Sequence, residues 1–447
     1  MASSSEIGAI LLEEWPYAYI VYEEQAASYC HYCLKSKCVD QEKLLQCSQC
    51  RFAHYCDSTC QTSAQKDHKE ECKCLEQCDG YVPSRKARLI ARIIFKRNEK
   101  WEPNLNLPKD LQQRRFKDLM NHEQDIIKDR RRFDQYRHIC DELKGYFGAE
   151  YKVSNGIILD VFGKVTINSF VIFSRNVPVG LGLYVGASIL DHSCDPDVFA
   201  NFNGPRIVVR PLKPGLGQKS LKDLQISYFG TFVPTRERRS LSSFRFYFDC
   251  DCSLCKDKLR DLEMFSVKCQ QCSGIAFFDE SNVANFSATC QSCGSANDVT
   301  RAMELMEKLK VALDLFDSNP VADHNTRNAK AMLLDRQASA LLSDMNVYSC
   351  ILSTKLQQIY SNSQMSAEAL KHCSKALKTL QRFLHPYQSL RLAQTKYAGM
   401  LLVENWTTTE QGIELLSEAE NGYKFIGEEE QVQECRSRID TVNGHSD

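Results

Sequence analysis

The cysteine and histidine spacing between Cys30 and Cys72 constrains this chain more than any other feature. The segment reads C-x2-C-x13-C-x2-C-x5-C-x3-C-x7-H-x3-C, which gives eight sulfur or imidazole donors in paired spacings. Closed tetrahedral zinc sites take four such ligands each, so the pattern predicts a structural double-zinc module. The alternative, a set of unrelated surface thiols, would require the whole pattern to arise by accident.

The way the ligands divide between the metal ions follows from the size of the segment. A segment this short cannot form a hydrophobic core of its own, and it gains stability when each metal joins distant parts of the chain. We therefore expect the two ligand sets to interleave. One zinc ion is predicted to bind Cys30, Cys33, Cys56 and Cys60, and the other Cys47, Cys50, His68 and Cys72.

A second cysteine-rich stretch lies further along the chain and has the spacing of a zinc ribbon, C-x2-C-x17-C-x2-C. It predicts an additional zinc ion bound by Cys269, Cys272, Cys290 and Cys293. Metal is favoured over disulfides because the chain opens without an apolar signal segment and no apolar run reaches the length of a membrane span. We therefore expect a reducing compartment, in the cytoplasm and nucleus, and no membrane association.

Length and charge narrow the classes of function. The chain has 447 residues, of which 43% are hydrophobic and 25% charged, as in a soluble protein of two or three domains. Its formal net charge is −1, which argues against a generally basic, DNA-coating surface. The double-zinc segment also lacks a basic reading helix, so no sequence-specific DNA binding is expected.

The apolar periodicity changes several times along the chain. Residues 8–22 predict two short strands separated by Pro16, and their sheet partners must come from far downstream because a lone hairpin is marginal. Helices are predicted for 88–95 and within 111–147. From Ile157 the pattern predicts a small, irregular all-β unit with strands at 165–175, 180–184, 198–202, 207–211 and 224–229. Amphipathic helices are predicted at 300–316, 326–345, 351–360, 367–383, 389–402 and 411–425.

Four motifs carry a resemblance to a known family. The segment Ser188–Asp197 is similar to the NHSCxPN signature of SET-domain methyltransferases, Ile226–Tyr228 resembles their ISY motif, and Cys250–Cys255 resembles their post-SET zinc site. The double-zinc segment, with its Phe52-x2-Tyr55 step, resembles a MYND finger. Together these motifs resemble the SET and MYND domain (SMYD) family of protein-lysine methyltransferases.

The resemblance implies the fold. The expected class is α+β multidomain, with a SET-type irregular β-fold, an inserted MYND zinc finger, a post-SET zinc site and a C-terminal α-helical bundle similar to tetratricopeptide repeats. The implied domains are an N-terminal part of the SET domain (1–29), the MYND finger (30–72), a helical insert (73–156), the SET core (157–248), a post-SET region with the ribbon (249–299) and the helical domain (300–447).

The resemblance also implies S-adenosylmethionine-dependent N-methylation of lysine in histones or other proteins. Tyr228 would align the amine and the methyl group, although a packed strand tyrosine is the alternative for this residue. The implied residues around the methyl donor are Asn168, Ser188, Asp191, His192 and Phe248. Those of the lysine channel are Phe170, Phe246 and Tyr247. Cys194 would join Cys250, Cys252 and Cys255 on a zinc ion, which gives three zinc ions, or four with the ribbon.

The chain departs from the family pattern at positions that bear on activity. It starts only a few residues before Gly8, so the family's GRG-type cofactor loop is expected to be absent. Asp191 and Asp197 stand where the signature has asparagines, Gly230 replaces an acidic residue, and Phe246 aligns with a second channel tyrosine unless Tyr247 substitutes for it. The second hypothesis is therefore a catalytically weak or inactive adaptor.

Both hypotheses involve protein partners. The resemblance implies that proline-rich peptides bind the MYND finger, and that protein substrates or histone tails enter the lysine channel. The helical domain would offer a concave surface to a partner in the adaptor reading. We expect the protein to be a monomer.

Overall fold

The computed structural model describes residues 9–36, 43–78, 80–97, 106–148, 152–175, 177–216, 219–278, 287–318, 324–404 and 409–444. The chain divides into two units, the first comprising residues 1–228 and 241–249 and the second residues 229–240 and 250–447. Within the ranges described, no helix is both long and apolar enough to cross a membrane.

The first unit combines short strands with helices. In chain order its elements are β1 (Leu12–Glu14), β2 (Ala18–Val21), β3 (Leu45–Gln46), β4 (His54–Tyr55), α1 (Ser58–Gln77), α2 (Arg85–Lys96), α3 (Glu123–Lys128), α4 (Arg130–Phe147), α5 (Asn155–Asn168), β5 (Ser169–Ser174), β6 (Val177–Leu183), β7 (Asp191–His192), β8 (Val198–Asn203), β9 (Arg206–Pro211) and β10 (Gln225–Ile226).

Small sheets join the start of the chain to segments that lie far downstream. The strand order is β1-β9-β8 in one antiparallel sheet and β2-β6-β5 in another, while β7 and β10 form a parallel pair. Leu12 pairs with Val209, and Ala18 pairs with Leu183. The prediction that the first strands find distant partners is confirmed, and the double-zinc module is inserted between β2 and α2.

The all-β interpretation of the stretch beginning at Ile157 is wrong for its first part. Residues Asn155–Asn168 form the helix α5, whose N-terminus is capped by the Ser154 side chain as it accepts from the N–H of Ile157. The buried residues of this helix include Val161 and Val165, which lie four positions apart on one face. Their β-branched side chains suggested a strand, but the core contact along this face stabilises a helix.

A buried ion cluster connects α1 of the double-zinc module to β2. Glu71 on α1 accepts from Arg88 and Arg92 on α2, with the Arg88 Nη2–Glu71 Oε1 distance 2.9 Å. Each arginine also donates through Nη1 to a carbonyl of β2, Arg88 to Val21 at 2.9 Å and Arg92 to Tyr19 at 2.7 Å. The three charged side chains are at most 5% exposed. The cluster therefore fixes the positions of the double-zinc module, α2 and the β2-β6-β5 sheet relative to one another.

The second unit is mostly helical. It contains part of α6 (Thr235–Phe246), then α7 (Ser253–Lys256), α8 (Lys258–Met264), β11 (Val267–Lys268), β12 (Ile275–Phe277), β13 (Ser287–Cys290), β14 (Ala296–Asp298), α9 (Thr300–Ser318), α10 (His324–Leu341), α11 (Val347–Asn362), α12 (Ser366–Phe383), α13 (Ser389–Glu404), α14 (Thr409–Ile426) and α15 (Glu429–Gly444).

The helices of the second unit follow the predicted run. Consecutive helices from α11 to α15 pack against one another, as the amphipathic patterns and short connections predicted. The last helix, α15, was not predicted, because its sequence is largely polar and only three of its residues, Val432, Cys435 and Val442, are buried. Those contacts with its neighbours stabilise a helix that its own apolar pattern does not indicate.

Candidate active site and zinc centres

The structure brings the eight predicted donors of the double-zinc module together in two crossed sets. Cys30, Cys33, Cys56 and Cys60 form one set, and Cys47, Cys50, His68 and Cys72 the other, with all ligand atoms of a set within 4.8 Å of one another. The sulfurs of Cys33 and Cys56 are 3.5 Å apart, and those of Cys47 and Cys72 are 3.7 Å apart.

These distances fit a metal centre. Zinc–sulfur bonds of about 2.3 Å in a tetrahedron place two sulfurs about 3.8 Å apart. A disulfide would bring the two sulfurs to about 2.0 Å. The cysteines of both sets are free thiols, so their spacing is that of zinc ligands.

Local backbone geometry positions the zinc ligands of the double-zinc module. Leu34 and Arg51 each follow a C-x2-C pair and have φ values of 56°, so the chain turns sharply after both pairs. The Asp57 carboxylate caps α1 by accepting from the N–H of Cys60 at 2.8 Å. His68 and Cys72, four residues apart, then lie on one face of α1.

The Cys50–His68 contact assigns the histidine nitrogens. Nε2 of His68 lies 3.6 Å from the sulfur of Cys50, within the second ligand set. Nδ1 faces the Glu71 Oε2 atom at 3.7 Å. A carboxylate behind a metal-binding histidine orients the ring and makes it a better ligand, so Glu71 serves both the zinc set and the ion cluster.

The ribbon cysteines are gathered by an antiparallel sheet in the second unit, with strand order β11-β12-β13-β14. The sulfurs of Cys269 and Cys293 are 3.7 Å apart, and those of Cys272 and Cys290 are 3.5 Å apart. The backbone N–H groups of Cys272 and Gln271 lower the pKa of the Cys269 thiol to about 6. Four thiols held at these distances, one of them readily ionised, fit a closed zinc site.

An aromatic group, made of His192, Tyr228, Phe246 and Phe248 and called here the aromatic site, lies in the first unit. The ring centroids of Tyr228 and Phe246 are 4.9 Å apart, and those of His192 and Phe248 are 5.6 Å apart. The rings of His192 and Tyr228 are separated by 5.2 Å. Tyr228, Phe246 and Phe248 are only partly buried, so their faces remain accessible to a ligand.

Two sequence motifs meet at the aromatic site because β7 and β10 pair in parallel, with Ile226 opposite His192. The Tyr228 N–H donates to Nδ1 of His192 at 3.1 Å, and the Tyr228 hydroxyl donates to the carbonyl of Leu190 at 2.7 Å. Burial, with a smaller contribution from the charge of Asp191, raises the pKa of Tyr228 above its usual value. The phenol is therefore protonated at neutral pH, and hydrogen bonds hold Tyr228 at its backbone N–H and at its hydroxyl.

Comparisons with known proteins agree with this architecture. Residues 30–72 match the MYND finger family. The chain is 32% identical over 267 residues to histone-lysine N-methyltransferase SMYD3 of Homo sapiens, covering 58% of this chain and 59% of that protein. It is 30% identical over 272 residues to histone-lysine N-methyltransferase SMYD1 of Homo sapiens, covering 58% of this chain and 53% of that protein.

Over these stretches the chain is similar to SMYD lysine methyltransferases. A longer match, 24% identical over 391 residues, joins it to histone-lysine N-methyltransferase ASHR1 of Arabidopsis thaliana and covers 84% of this chain and 78% of that protein. In the matches to SMYD3 and SMYD1, by contrast, the chain spans just over half the length of each human relative. The predicted fold class is confirmed, and the double-zinc module is a zinc-binding MYND finger.

The four predicted post-SET zinc ligands are divided between the two units. The sulfurs of Cys250, Cys252 and Cys255, all in the second unit, lie within 4.8 Å of one another. Cys194 lies in the first unit, where it is buried and its sulfur is 3.4 Å from Nε2 of His192. A zinc site made by all four cysteines stays a prediction.

The structure also places four other residues that were predicted from the family resemblance. The Asn168 side-chain amide donates to the carbonyl of Met120 at 2.8 Å, so this nitrogen holds the end of α5 in place. It stands at the end of a helix rather than in the predicted strand. The Ser188 hydroxyl donates to the carbonyl of Tyr184, and Asp191 is exposed in β7. Phe170 packs edge-on against Tyr184, with ring centroids 5.7 Å apart.

Tyr247 does not join the aromatic site, although the sequence placed it in the lysine channel. Its φ of 63° turns the backbone between Phe246 and Phe248. Its ring lies 5.5 Å from that of His122, and its hydroxyl donates to Asp129 at 3.3 Å. The structure therefore places the ring of Phe246, and not that of Tyr247, beside Tyr228.

Glu14 was not selected from the sequence, yet this residue supports the signature segment. Its buried carboxylate accepts from the N–H groups of Gly186 and Ala187, each at 2.8 Å. These two residues form the turn that leads into Ser188. Two adjacent glutamates, Glu13 and Glu14, end the first strand, and nothing in that pair indicates which one is buried or that its partners lie so far along the chain.

Glu14 predicts a specific pH dependence of stability. Burial raises its pKa from 4.5 to about 7, against the opposing effect of the two N–H donors. Because the pKa is higher in the folded state, the folded protein binds the proton more tightly, and this contribution is lost as pH rises from about 4.5 to about 7. The free energy of unfolding of the wild type, minus that of Glu14→Gln, is expected to fall by up to about 3 kcal/mol across this range.

Urea unfolding of both proteins at several pH values measures this difference. The subtraction removes titrations that the two proteins share, including those of the zinc ligands. A difference that stays constant or grows with pH would contradict the assignment.

Proposed function

We propose that this protein transfers methyl groups from S-adenosylmethionine to lysine side chains of other proteins. The observation that carries the proposal is the aromatic site, in which the Tyr228 hydroxyl is fixed among three further rings beside the signature segment. The names of the SMYD relatives, which are lysine methyltransferases, support the same reaction class.

The rings of the aromatic site suit the substrate amine. Methyl transfer is an in-line displacement, and it requires lysine as a neutral nucleophile with its nitrogen lone pair directed at the methyl carbon. Apolar ring faces exclude water and disfavour the ammonium form, so they lower the pKa of an incoming lysine. Tyr228, Phe246 and Phe248 offer such faces.

Tyr228 has a positioning role at the amine. Because its hydroxyl hydrogen is donated to the Leu190 carbonyl, the oxygen lone pairs face outward as acceptors. A neutral lysine amine can donate an N–H to this oxygen and keep its own lone pair for the methyl group. The protein thus orients the nucleophile without removing a proton itself.

The residues present fit S-adenosylmethionine, which supplies an electrophilic methyl group on a sulfonium. The rings of His192 and Phe248 are suited to stacking with an adenine, and the backbone of residues 188–191 offers polar groups. His192 keeps a defined orientation, since Nδ1 accepts from the Tyr228 N–H. Asp191 opposes binding, because its carboxylate adds a negative charge to a site for a ligand that itself carries a carboxylate.

Replacement of Tyr228 by phenylalanine is expected to lower kcat by about 100-fold, because it removes the acceptor that orients the amine. The assay measures labelled methyl transfer from S-adenosylmethionine to histones and to a mixture of cellular proteins. Tyr247→Phe is the matched control, since its hydroxyl contacts Asp129 rather than the aromatic site, and its activity should match that of the wild type.

Equal activity of Tyr228→Phe and the wild type would contradict the role assigned to the hydroxyl. Calorimetric titration of the wild type with S-adenosylhomocysteine tests the cofactor separately. If no binding is found, the adaptor function is the one that the MYND finger and helical domain still support.

Replacement of Asp191 by asparagine is expected to tighten the binding of S-adenosylhomocysteine about tenfold, since it removes a like charge worth roughly 1.4 kcal/mol. Titration calorimetry gives the dissociation constants. Asp223→Asn, in an exposed turn of the same unit, is the control and should leave the affinity unchanged. An unchanged or weaker affinity for Asp191→Asn would show that this carboxylate does not face the ligand.

We propose protein partners for the remaining surfaces as well. The MYND finger would bind proline-rich peptides, and histone tails or other protein segments would be the substrates. A monomer in the cytoplasm and nucleus is consistent with these partners, and sedimentation together with imaging of a tagged full-length chain tests both expectations.

A further inference from the structure

A cavity of about 550 Å³ lies in the first unit and shares no residue with the aromatic site. Its walls come from the 3₁₀ turn at Glu23–Gln25 and from α2, α4 and α5. Four cationic residues line it, Arg85, Lys86, Arg88 and Arg132, together with the two acidic residues Glu23 and Glu24. Neither the zinc sites nor the proposed methyl transfer uses this cavity.

Two of the four cations form no direct ion pair. Arg85 and Arg88 are each paired with a glutamate. In the part of the chain that the structure describes, neither Lys86 nor Arg132 forms an ion pair with a carboxylate, although the charge of Asp129 acts on Arg132. The cavity therefore holds two neighbouring cations that have no carboxylate in direct contact.

Arg132 is only 7% exposed, and its hydrogen bonds are incomplete. Its Nε has no hydrogen-bond partner among the described residues. Nη1 lies 3.3 Å from Gln135 Oε1 and Nη2 lies 3.4 Å from the carbonyl of Arg245, both long contacts, and the guanidinium also interacts with the Tyr247 hydroxyl. A buried guanidinium with unused donors indicates a site built for an additional acceptor.

Lys86 shows the same lack of acceptors. Its Nζ donates to the Thr166 hydroxyl at 3.5 Å, the limit for such a bond. Burial and the charges of Arg132 and Arg131 lower its pKa to about 8, and no acidic group contributes to the shift. An anion bound between Lys86 and Arg132 would relieve this repulsion.

The other walls give the ligand its remaining chemistry. α2 begins at this cavity, with Ser84 as its N-cap and Arg85 as its first residue, and the Ser84 N–H and hydroxyl already donate to the Glu142 carboxylate. Ile139 and Phe162 supply an apolar surface, and the Lys86 Nζ lies 5.5 Å from the centre of the Phe162 ring. The site thus combines an anionic subsite with room for an organic group.

We propose that this cavity binds a phosphate monoester, with Lys86 and Arg132 contacting the phosphate oxygens and with Ile139 and Phe162 contacting the organic part. A phosphate dianion offers three acceptor oxygens to two separate cations, one more than a carboxylate provides.

Phenyl phosphate is the probe, titrated by calorimetry into the full chain in phosphate-free buffer. We expect saturable binding that inorganic phosphate competes for. Lys86→Gln and Arg132→Gln should each weaken it at least about tenfold. Lys144→Gln is the control, because this lysine is also on α4 but its side chain is 69% exposed, and binding should be unchanged.

A measurement on the wild type does not depend on how the variants fold. Acetylation of Lys86 by acetic anhydride, followed by mass spectrometry, should slow at least several-fold when phenyl phosphate is added, while that of Lys144 should not. A phosphoserine peptide that binds more tightly than phenyl phosphate would support the proposal with a protein-borne phosphate, and the reverse order would support a small molecule.

Three results would overturn the proposal. The first is the absence of saturable binding by phenyl phosphate, inorganic phosphate and the phosphopeptide. The second is equal affinity of phenyl phosphate for the two cavity variants, if folded, and for the Lys144→Gln control. The third is binding of benzoate as tight as that of phenyl phosphate, which would assign the cavity to carboxylates.

Discussion

Replacement of Cys72 by serine is expected to unfold the MYND finger and to remove both of its zinc ions. Cys72 belongs to the set with Cys47, Cys50 and His68. Because the finger has only a small core made largely of these ligands, metal binding supplies most of its folding free energy, about 10 kcal/mol or more in isolated fingers. The loss should therefore extend to the other zinc set, whose ligands alternate with these along the chain.

Zinc content measured by elemental analysis, together with hydrogen exchange of residues 43–78, tests this expectation. Cys74→Ser is a close control, because Cys74 is also buried on α1 but belongs to neither ligand set. It should lower stability without changing the zinc content. Equal zinc content in the wild type and Cys72→Ser would contradict the ligand assignment.

The metal sets were predictable because their chemistry is local and strict. The number of ligands, their paired spacing and the need of a short segment for cross-linking leave few arrangements. The helices of the second unit could also be predicted from the sequence, since their apolar residues recur every three to four positions over long stretches. In both cases the information lies within a short window of the sequence.

The errors arose where the deciding interaction is distant or depends on backbone conformation. The residues of α5 combine an apolar spacing that fits a helix with β-branched residues that are typical of strands. Packing against other segments of the core decides in favour of the helix. The position of Tyr247 depends on a positive φ, which few side chains favour and no spacing reveals. The role of Glu14 depends on two N–H groups that lie more than 170 residues away.

The ion cluster at Glu71 is a further interaction that the sequence did not indicate, although charged residues on α1 and α2 were plain to see. Most charged helix residues are solvated, so burial of Glu71 between Arg88 and Arg92 could be learned only from the structure. Burial alone would raise the pKa of Glu71, but the charges of Arg92 and Arg88 outweigh it and hold this pKa well below its usual range. The carboxylate is therefore ionised whenever the protein is folded near neutral pH.

Replacement of Glu71 by glutamine is expected to destabilise the first unit by about 3–5 kcal/mol, because it leaves two buried guanidinium groups without a counter-charge. Glu70→Gln is the matched control, since the neighbouring Glu70 makes an exposed ion pair with Lys73 at 3.1 Å, which is worth less than about 1 kcal/mol. Urea unfolding followed by circular dichroism gives both free energies.

Hydrogen exchange distinguishes the cause of that loss. The two arginines donate to carbonyls of β2, so the N–H groups of Ala18–Val21 should exchange about 100-fold faster or more in Glu71→Gln, in proportion to the lost free energy. The zinc content should stay at the wild-type value, because Glu71 orients His68 without binding the metal. Faster exchange confined to the MYND finger, with zinc lost, would instead mean that Glu71 acts only through the histidine.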